Sequence, residues 1–126
     1  MFMTELTKAE LIVMRCIWEL GDGASKIEIE NQIESRFHKG WRPTTVSTFL
    51  SHLREKGYVD FTRKGKDCCY TSLISAKVYQ EAQMKEMFEF WGKRNVGTTL
   101  VSFFEEQGMD AESAEKVKEM IDELDF

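Results

Sequence analysis

The sequence is poor in the residues that build disulfide frameworks, metal sites and membrane spans. Its 126 residues include one proline, two histidines and three cysteines. No apolar run approaches the roughly 20 residues that a membrane-spanning helix needs, and the N-terminus has no basic segment followed by an apolar stretch. We therefore expect no signal peptide, no membrane partner and a cytoplasmic location.

The three cysteines do not follow a pattern typical of a structural or catalytic site. An odd number without an export signal indicates reduced thiols, and Cys16 falls within an apolar helical run. Neighbours on a strand point to opposite faces, which disfavours Cys68 and Cys69 as joint ligands of one metal ion. Because the sequence also lacks a Ser-His-Asp set and a Gly-rich phosphate loop, it predicts no metal, no cofactor and no enzymatic activity.

The net charge of −5 hides an uneven distribution. Residues 40–66 hold six cationic and two acidic side chains, whereas residues 75–126 hold six cationic and twelve acidic ones. A basic middle segment in an acidic chain is compatible with an anionic partner, because the local charge is what meets that partner.

Local signals predict three helices in the first 57 residues. Thr7-x-x-Glu10 and Ser25-x-x-Glu28 are capping boxes, in which each side chain satisfies the other residue's free backbone N–H. Pro43 fits the first position of a third helix, where its missing N–H costs nothing, and Gly57 fits the left-handed position after its end. This third helix has an apolar stripe formed by Val46, Phe49, Leu50 and Leu53.

A short β-hairpin is predicted directly after the third helix. Residues 58–63 alternate between apolar and polar side chains, as a half-buried strand does. Residues 64–67 predict a turn and residues 68–73 the returning strand. This order predicts a mainly α fold with a small β-hairpin wing, in which residues 1–74 form an N-terminal winged helix-turn-helix domain.

Residues 75–126 predict three further helices and a helical dimerisation domain. The first runs from Ser75 to about Trp91, the second from Thr98 to Glu106 after a break bracketed by Gly92 and Gly97, and the third follows residue 110. A bundle within one chain is the alternative, but a second copy would bury this apolar content better. The candidate dimerisation residues are Met84, Met87, Phe88, Trp91, Leu100, Val101, Phe103, Phe104, Val117, Ile121 and Leu124.

The exposed face of the third predicted helix carries hydroxyl side chains where Glu and Lys would favour a helix more. Short hydroxyl groups allow close approach to the major groove and hydrogen bonds to phosphates or base edges. The hairpin turn adds a cluster of cations that suits a phosphate backbone. Double-stranded DNA is therefore the predicted partner, and the candidate DNA-binding residues are Arg42, Thr44, Thr45, Ser47, Thr48, Ser51, His52, Arg54, Arg63, Lys64 and Lys66.

Dimerisation would place two recognition helices about one DNA turn apart, roughly 34–36 Å for adjacent half-sites, as a palindromic operator requires. The acidic balance of the whole chain leaves an alternative open, in which the same face contacts a protein and the chain is a winged-helix interaction module. A salt series separates the two, because phosphate contacts weaken as salt rises.

Several motifs of this chain resemble the penicillinase and methicillin-resistance repressor family, which includes copper-responsive repressors. The resemblance is carried by Trp41-x-Pro43-x-Thr45-Val46-x-Thr48, by Leu53-x-x-Lys56-Gly57 and by Arg63-x-Gly65-Lys66-x-x-x-Tyr70. It implies an N-terminal winged helix, a C-terminal dimerisation domain and a palindromic operator. It also implies that Thr45 and Thr48 face DNA, with Arg63 and Lys66 on the wing.

The chain departs from this family at positions that bear on DNA contacts. Arg42 precedes the proline where relatives often have Ser or Thr, which leaves the third helix with a weak N-cap and leaves Arg42 to reach a phosphate. Thr44, Ser47 and His52 stand where relatives often have Lys or Arg. The resemblance therefore implies fewer charged contacts and a different operator.

The inducing signal is not defined by the resemblance. In β-lactam-responsive members a metalloprotease cuts an Asn-Phe bond, and the matching candidate proteolytic site here is Ser102-Phe103, which departs from that pattern. Copper-responsive members carry Cys-x-Cys motifs near the C-terminus, and no cysteine follows Cys69 in this chain. An inactivating protease and a small effector both stay open as partners.

Overall fold

The computed structural model describes residues 5–125 of the chain. The expectation that no signal peptide is present falls mainly on residues 1–4, outside the described residues. Within the described range the elements follow one another as α1 (Lys8–Leu20), β1 (Ala24–Ser25), α2 (Lys26–Phe37), α3 (Pro43–Glu55), β2 (Val59–Lys64), β3 (Asp67–Ser72), α4 (Ala76–Trp91), α5 (Lys93–Glu106) and α6 (Ala111–Asp122). None of the helices within this range combines the length and the apolarity that a membrane crossing needs.

The described residues group into two compact units that divide between Val78 and Tyr79. The sequence places a domain boundary between residues 74 and 75, at the start of α4. The assignment of a DNA-binding role to residues 1–74 and of a dimerisation role to residues 75–126 stays a prediction at this stage.

Both predicted capping boxes are present. The Thr7 hydroxyl accepts a hydrogen bond from the Glu10 backbone N–H at 3.2 Å, and the Glu10 carboxylate accepts one from the Thr7 N–H at 2.9 Å. Ser25 and Glu28 repeat this exchange at the start of α2. Four backbone donors that lack a partner inside their helices are thereby satisfied, which fixes where α1 and α2 begin.

The third helix begins at Pro43 and ends before Gly57, as predicted. Arg42 occupies the N-cap position but makes no side-chain capping bond there, so the first turn depends on the fixed φ of Pro43. Gly57 has φ +83°, in the left-handed region that glycine enters without a steric penalty. The chain therefore turns directly from α3 into β2.

The hairpin is paired as predicted, and one further strand joins it. β2 and β3 are antiparallel, with Phe61 opposite Tyr70 and Lys64 opposite Asp67. The two-residue β1 pairs with the other edge of β3, giving the strand order β1-β3-β2. Sequence reasoning missed β1 because two residues are too few to show a period of two.

The core of the first unit is formed by the inner faces of its three helices and its sheet. The Trp18 indole N–H donates to the carbonyl of Ile74 at 2.9 Å, which ties α1 to the segment after β3. Burial raises the pKa of the Cys16 thiol to about 11, so Cys16 is an inert core residue as predicted. The side chains with almost no exposure are Val13, Met14, Cys16, Ile17, Ile29, Ile33, Val46, Leu50, Leu53, Tyr58 and Val59.

The second unit corrects the predicted break between Gly92 and Gly97. Gly92 has φ +84° and does interrupt the helices, but α5 restarts at once at Lys93. Gly97 is therefore an interior helical residue, and it is buried against Ile121 of α6. In the sequence, a glycine packed inside a helix cannot be distinguished from a glycine that breaks one.

The second unit also has its own small core, which includes several residues of the predicted dimerisation set. Phe88, Val96 and Ile121 are buried together, with Met87, Leu100 and Val117 packed against them. Phe88 and Ile121 are thus buried within the chain itself, and their place in a dimer interface stays a prediction. The N-cap predicted for α6 is confirmed, because the Asp110 carboxylate accepts from the Ser113 N–H at 2.7 Å. This bond holds the pKa of Asp110 below its ordinary value.

Gly97 provides a test of the packing in the second unit. A Cβ at this position would lie 3.6 Å from Cγ2 of Ile121, which is ordinary van der Waals contact. We expect Gly97→Ala to stabilise the chain by about 0.5–1 kcal/mol, because alanine removes unfolded-state freedom and favours a helix. Urea unfolding followed by circular dichroism measures this. Gly57→Ala is the control and should destabilise, and a loss of stability in Gly97→Ala would contradict the assigned packing.

Candidate nucleic-acid interface

The exposed face of α3 presents hydroxyl side chains, as its buried stripe requires. Val46, Leu50 and Leu53 are buried, so the opposite side of the helix, with Thr44, Thr48 and Ser51, is exposed. Thr45 and Ser47 lie at the two edges of this face and are half-buried. We call the set Thr44, Thr45, Ser47, Thr48 and Ser51 the hydroxyl face.

The Thr48 hydroxyl already uses its hydrogen in a bond within α3. It donates a hydrogen bond to the carbonyl oxygen of Thr44 at 3.1 Å. The oxygen of Thr48 therefore remains an acceptor, and the methyl group is fixed by the same bond. An acceptor beside a methyl group suits a base edge with a donor next to a thymine methyl group.

Arg42 lies at the beginning of the hydroxyl face. Its backbone carbonyl accepts from the N–H groups of Thr45 and Val46 at 3.0 and 3.2 Å, while its side chain is exposed. The guanidinium is thus available near the positive end of the α3 dipole, where an anion is favoured.

The hairpin turn between β2 and β3 carries three exposed cations, which we call the wing cations: Arg63, Lys64 and Lys66. Gly65, with φ +64°, occupies the first central position of this two-residue turn, where glycine is preferred. Within residues 5–125 none of the wing cations has a carboxylate oxygen within 4.0 Å. Their charge is therefore not neutralised by the described part of the chain.

The exposed side chain of Arg54 contacts the hairpin. Its guanidinium lies 4.1 Å from the centre of the Phe61 ring, and its Nε lies 3.7 Å from the Asp60 carboxylate. Phe61 in turn packs against Tyr70 on the neighbouring strand. Arg54 thus links the side of α3 to β2, a contact that fixes the hairpin relative to the hydroxyl face.

A buried carboxylate that sequence reasoning did not identify as part of the site lies under the last turn of α3. Glu10 exposes 3% of its side chain, and its Oε1 lies 2.6 Å from the ammonium nitrogen of Lys56. Its Oε2 lies 3.4 Å from Nδ1 of His52. Lys56 also donates to the backbone carbonyl of Glu5 at 3.0 Å. In the sequence Glu10 is recognisable only as part of a capping box. Its contacts with His52 and Lys56 join residues more than 40 positions apart and leave no local pattern.

The pKa of Glu10 reflects two opposed effects. Burial alone would raise it, but hydrogen bonds from Lys56 and from the Thr7 backbone outweigh burial and hold the pKa below its ordinary value of 4.5. Glu10 is therefore ionised at neutral pH and forms a buried ion pair with Lys56.

The two wing cysteines, Cys68 and Cys69, differ in their surroundings. Cys68 is half-buried and Cys69 is buried, and their neighbours across β2 are Arg63 and Thr62. Within residues 5–125 no three side chains of His, Cys, Asp or Glu are grouped to hold a metal ion.

Comparison with known proteins gives consistent matches over nearly the whole chain. The family described as penicillinase repressor matches residues 6–123. The methicillin resistance regulatory protein MecI of Staphylococcus aureus (strain N315) is 24% identical over 117 residues, 93% of either chain. The penicillinase repressor of Bacillus licheniformis is 23% identical over 120 residues, 94% of this chain and 91% of that one.

Solved structures match a part of the chain. The solution structure of the DNA binding domain of the repressor BlaI is 27% identical, with a TM-score of 0.53, and covers 62% of this chain and 92% of that one. The monomeric form of Bacillus licheniformis BlaI in complex with the blaP half-operator has a TM-score of 0.51 at the same identity and coverage. The predicted mainly α fold with a small hairpin wing is thereby confirmed.

Glu10 makes the stability of the first unit depend on pH in a definite direction. Because its folded-state pKa is lowered, its contribution is complete above 4.5 and is lost as pH falls through the folded-state value. We expect Glu10→Gln to cost about 1–3 kcal/mol at neutral pH and the difference from the wild type to narrow on acidification. Urea unfolding at about pH 7 and about pH 4 measures both.

The matched control for this measurement is Glu19→Gln, since Glu19 is an α1 carboxylate whose partner, Arg36, lies on α2. That pair is exposed, so its loss should cost at most about 1 kcal/mol. A Glu10→Gln variant whose deficit is as large at low pH as at neutral pH would refute the assignment of a buried, ionised Glu10.

Proposed function

The chain belongs to the penicillinase repressor family, and from this premise we propose that it is a homodimeric transcriptional repressor. It reads a palindromic DNA operator with α3 in the major groove and places the wing cations on the phosphate backbone. The observation that carries the proposal is the hydroxyl face of α3 beside three wing cations that are not neutralised by the described residues. The relatives are repressors, and the chain is not an enzyme.

The shape of α3 supports a place in the major groove. A helix with its side chains is about 10–12 Å wide, close to the roughly 12 Å of the groove. Short hydroxyl side chains keep the helix axis near the base edges, where longer Lys or Arg side chains would hold it away. Relatives support the same partner, because BlaI was solved in complex with a half-operator.

The wing cations supply the part of affinity that does not depend on sequence. Contacts from Arg63, Lys64 and Lys66 to phosphates would release counterions, which makes binding weaken as salt rises. The hydroxyl face contributes no charge, so we assign most of the salt dependence to the wing and to Arg42. Arg54 and His52 already have partners within the chain, on β2 and α1. Their DNA contacts therefore stay proposals, and each side chain also has a structural contact within the chain.

A second copy of the chain completes the proposed repressor. Exposed apolar side chains remain on α4, α5, α6 and the segment after α6 once the internal core is formed, and these are candidates for the dimer interface: Met84, Phe90, Trp91, Phe103, Met120 and Leu124. Phe90 is the most exposed of them, at 76%, and neither Phe90 nor Met120 belongs to the set predicted from the sequence. The half-buried Val101 and Phe104 stay in the proposed set, as do Met87, Leu100 and Val117 at its edge.

The proposed compartment is the cytoplasm, because a repressor acts where the chromosome is. The candidate proteolytic site Ser102-Phe103 lies in the interior of α5. Proteases cut preferentially at exposed, irregular segments, so cleavage there requires α5 to open locally first. We therefore propose that any proteolytic signal acts on a locally unfolded α5, while a small effector remains the other route.

A salt series on wing variants tests the proposed function. We expect Lys64→Ala with Lys66→Ala to weaken binding to operator and random duplexes alike, and to reduce the slope of log affinity against log salt by up to about 2. Fluorescence anisotropy with a duplex selected from a random library measures both. Lys85→Ala with Lys116→Ala changes the net charge equally on α4 and α6 and is the control. A wild-type affinity without salt dependence would instead favour the protein-interaction module.

The hydroxyl face is tested by a loss of affinity that is confined to the operator. We expect Thr48→Ala to weaken operator binding by about 1 kcal/mol while random DNA is unaffected, since a base contact is lost and no charge changes. Alanine favours a helix more than threonine does, so misfolding cannot explain a loss of affinity. Equal weakening on both duplexes would contradict a base-reading role for Thr48.

Dimerisation is tested at the exposed aromatic side chains. Trp91 and Phe103 are 59% and 55% exposed, so replacing both by serine should leave the internal core intact. We expect Trp91→Ser with Phe103→Ser to raise the dimer dissociation constant at least roughly tenfold, as the loss of large aromatic interface residues does. Sedimentation equilibrium measures it, with Lys85→Ser as the control on α4. An unchanged dimer would remove these residues from the interface.

A further inference from the structure

We propose that Glu10 is a positioning residue for DNA reading: its buried carboxylate fixes the last turn of α3 through Lys56 and orients His52 at the edge of the hydroxyl face. This inference rests on the proposed function and adds to that function a residue of α1 that sets how α3 meets the operator.

The geometry brings three partners, from the ends of two helices, to one carboxylate. Oε1 of Glu10 accepts from the Thr7 N–H at 2.9 Å and from Lys56 at 2.6 Å, so the same oxygen caps α1 and holds the C-cap residue of α3. Oε2 lies 3.4 Å from Nδ1 of His52. His52 and Lys56 are four residues apart and share one side of the last turn of α3. The beginning of α1 and the end of α3 are therefore joined at one point.

Stability alone does not account for a buried ion pair at this place. Within residues 5–125 Glu10 is the one charged residue in the buried class. Replacing a buried ion pair by apolar side chains of similar size is often neutral or stabilising, because removing charges from water is costly. What the ion pair adds is geometric specificity. A carboxylate with three polar partners is satisfied in one orientation of α3 relative to α1, whereas an apolar contact allows the two helices to shift against each other.

His52 is the link between this pair and DNA. It lies seven residues after Thr45, on the same edge of the hydroxyl face, and 48% of its side chain is exposed. With Nδ1 facing Glu10, Nε2 is the ring nitrogen left to meet a base edge or a phosphate. The charged groups that the described structure places around this contact are Glu10 on α1 and Lys56 at the end of α3. Loss of Glu10 would free the ring to rotate away.

The chain offers a matched control on the same helix. Glu19 of α1 pairs with Arg36 of α2 at 2.7 Å, and its other described partners, Arg15 and Gln32, also lie on α1 and α2. Both carboxylates join α1 to another helix, but only Glu10 reaches the DNA-reading helix. Glu19→Gln therefore removes an α1 ion pair without disturbing the orientation of α3.

The test compares operator and random duplexes for Glu10→Gln, Glu19→Gln and the wild type, with the folded fraction fixed by circular dichroism. We expect Glu10→Gln to lose operator affinity roughly tenfold, about 1.4 kcal/mol, with random DNA changed less than about twofold and an unchanged salt slope. Glu19→Gln should match the wild type. Equal losses on both duplexes, or none, would overturn the inference, whereas a wild type without operator binding would overturn the proposed function.

A double-mutant cycle with His52→Gln separates positioning from simple structural damage. We expect His52→Gln to lower operator affinity in the wild-type background and to have little further effect in Glu10→Gln, because the two residues act through one contact. Additive losses would overturn the link to His52. If Glu10→Gln does not fold, Lys56→Arg provides the second route, since it keeps the cation but displaces the last turn. It should lower operator affinity selectively, and an unaltered ratio of operator to random binding would overturn the proposal.

Discussion

The burial of one stripe of α3 against α1 is the constraint on which the rest of the first unit depends. Val46, Leu50 and Leu53 can reach the core in only one rotation of the helix, because side chains recur every 3.6 residues. That rotation decides which side chains are exposed, and it places the hydroxyl face on the opposite side. The core and the candidate interface are thus two consequences of the same helical phase.

The hydroxyl face makes α3 intrinsically weak, and the structure stabilises it from both ends. Ser and Thr favour a helix less than Glu or Lys, and Arg42 supplies no capping bond. Pro43 presets the first turn, while Lys56 ties the last turn to Glu10. A helix that gives up local stability on its exposed face in this way is consistent with selection for contact with another molecule.

The features that the sequence predicts well are those encoded within a few residues. Capping boxes, a proline at the first helical position and a glycine after the last one act over one turn, so α1, α2 and α3 begin and end as expected. Gly97, β1 and the role of Glu10 depend on partners distant in sequence. A glycine packed on Ile121 and a carboxylate packed on Lys56 show no local sign of those contacts, since either residue type also occurs where no such partner exists.

The same distinction explains why the predicted dimerisation set contains both internal core residues and exposed residues. The apolar face of an amphipathic helix indicates that this face is buried, but it does not indicate whether the same chain or another chain buries it. Phe88 and Ile121 are covered within the chain, whereas Trp91 and Phe103 are not. The internal core therefore covers part of the apolar side chains of these helices and leaves the Trp91 and Phe103 rings exposed. In the proposed dimer a second copy would therefore cover these exposed aromatic side chains, whereas each copy forms the internal core by itself.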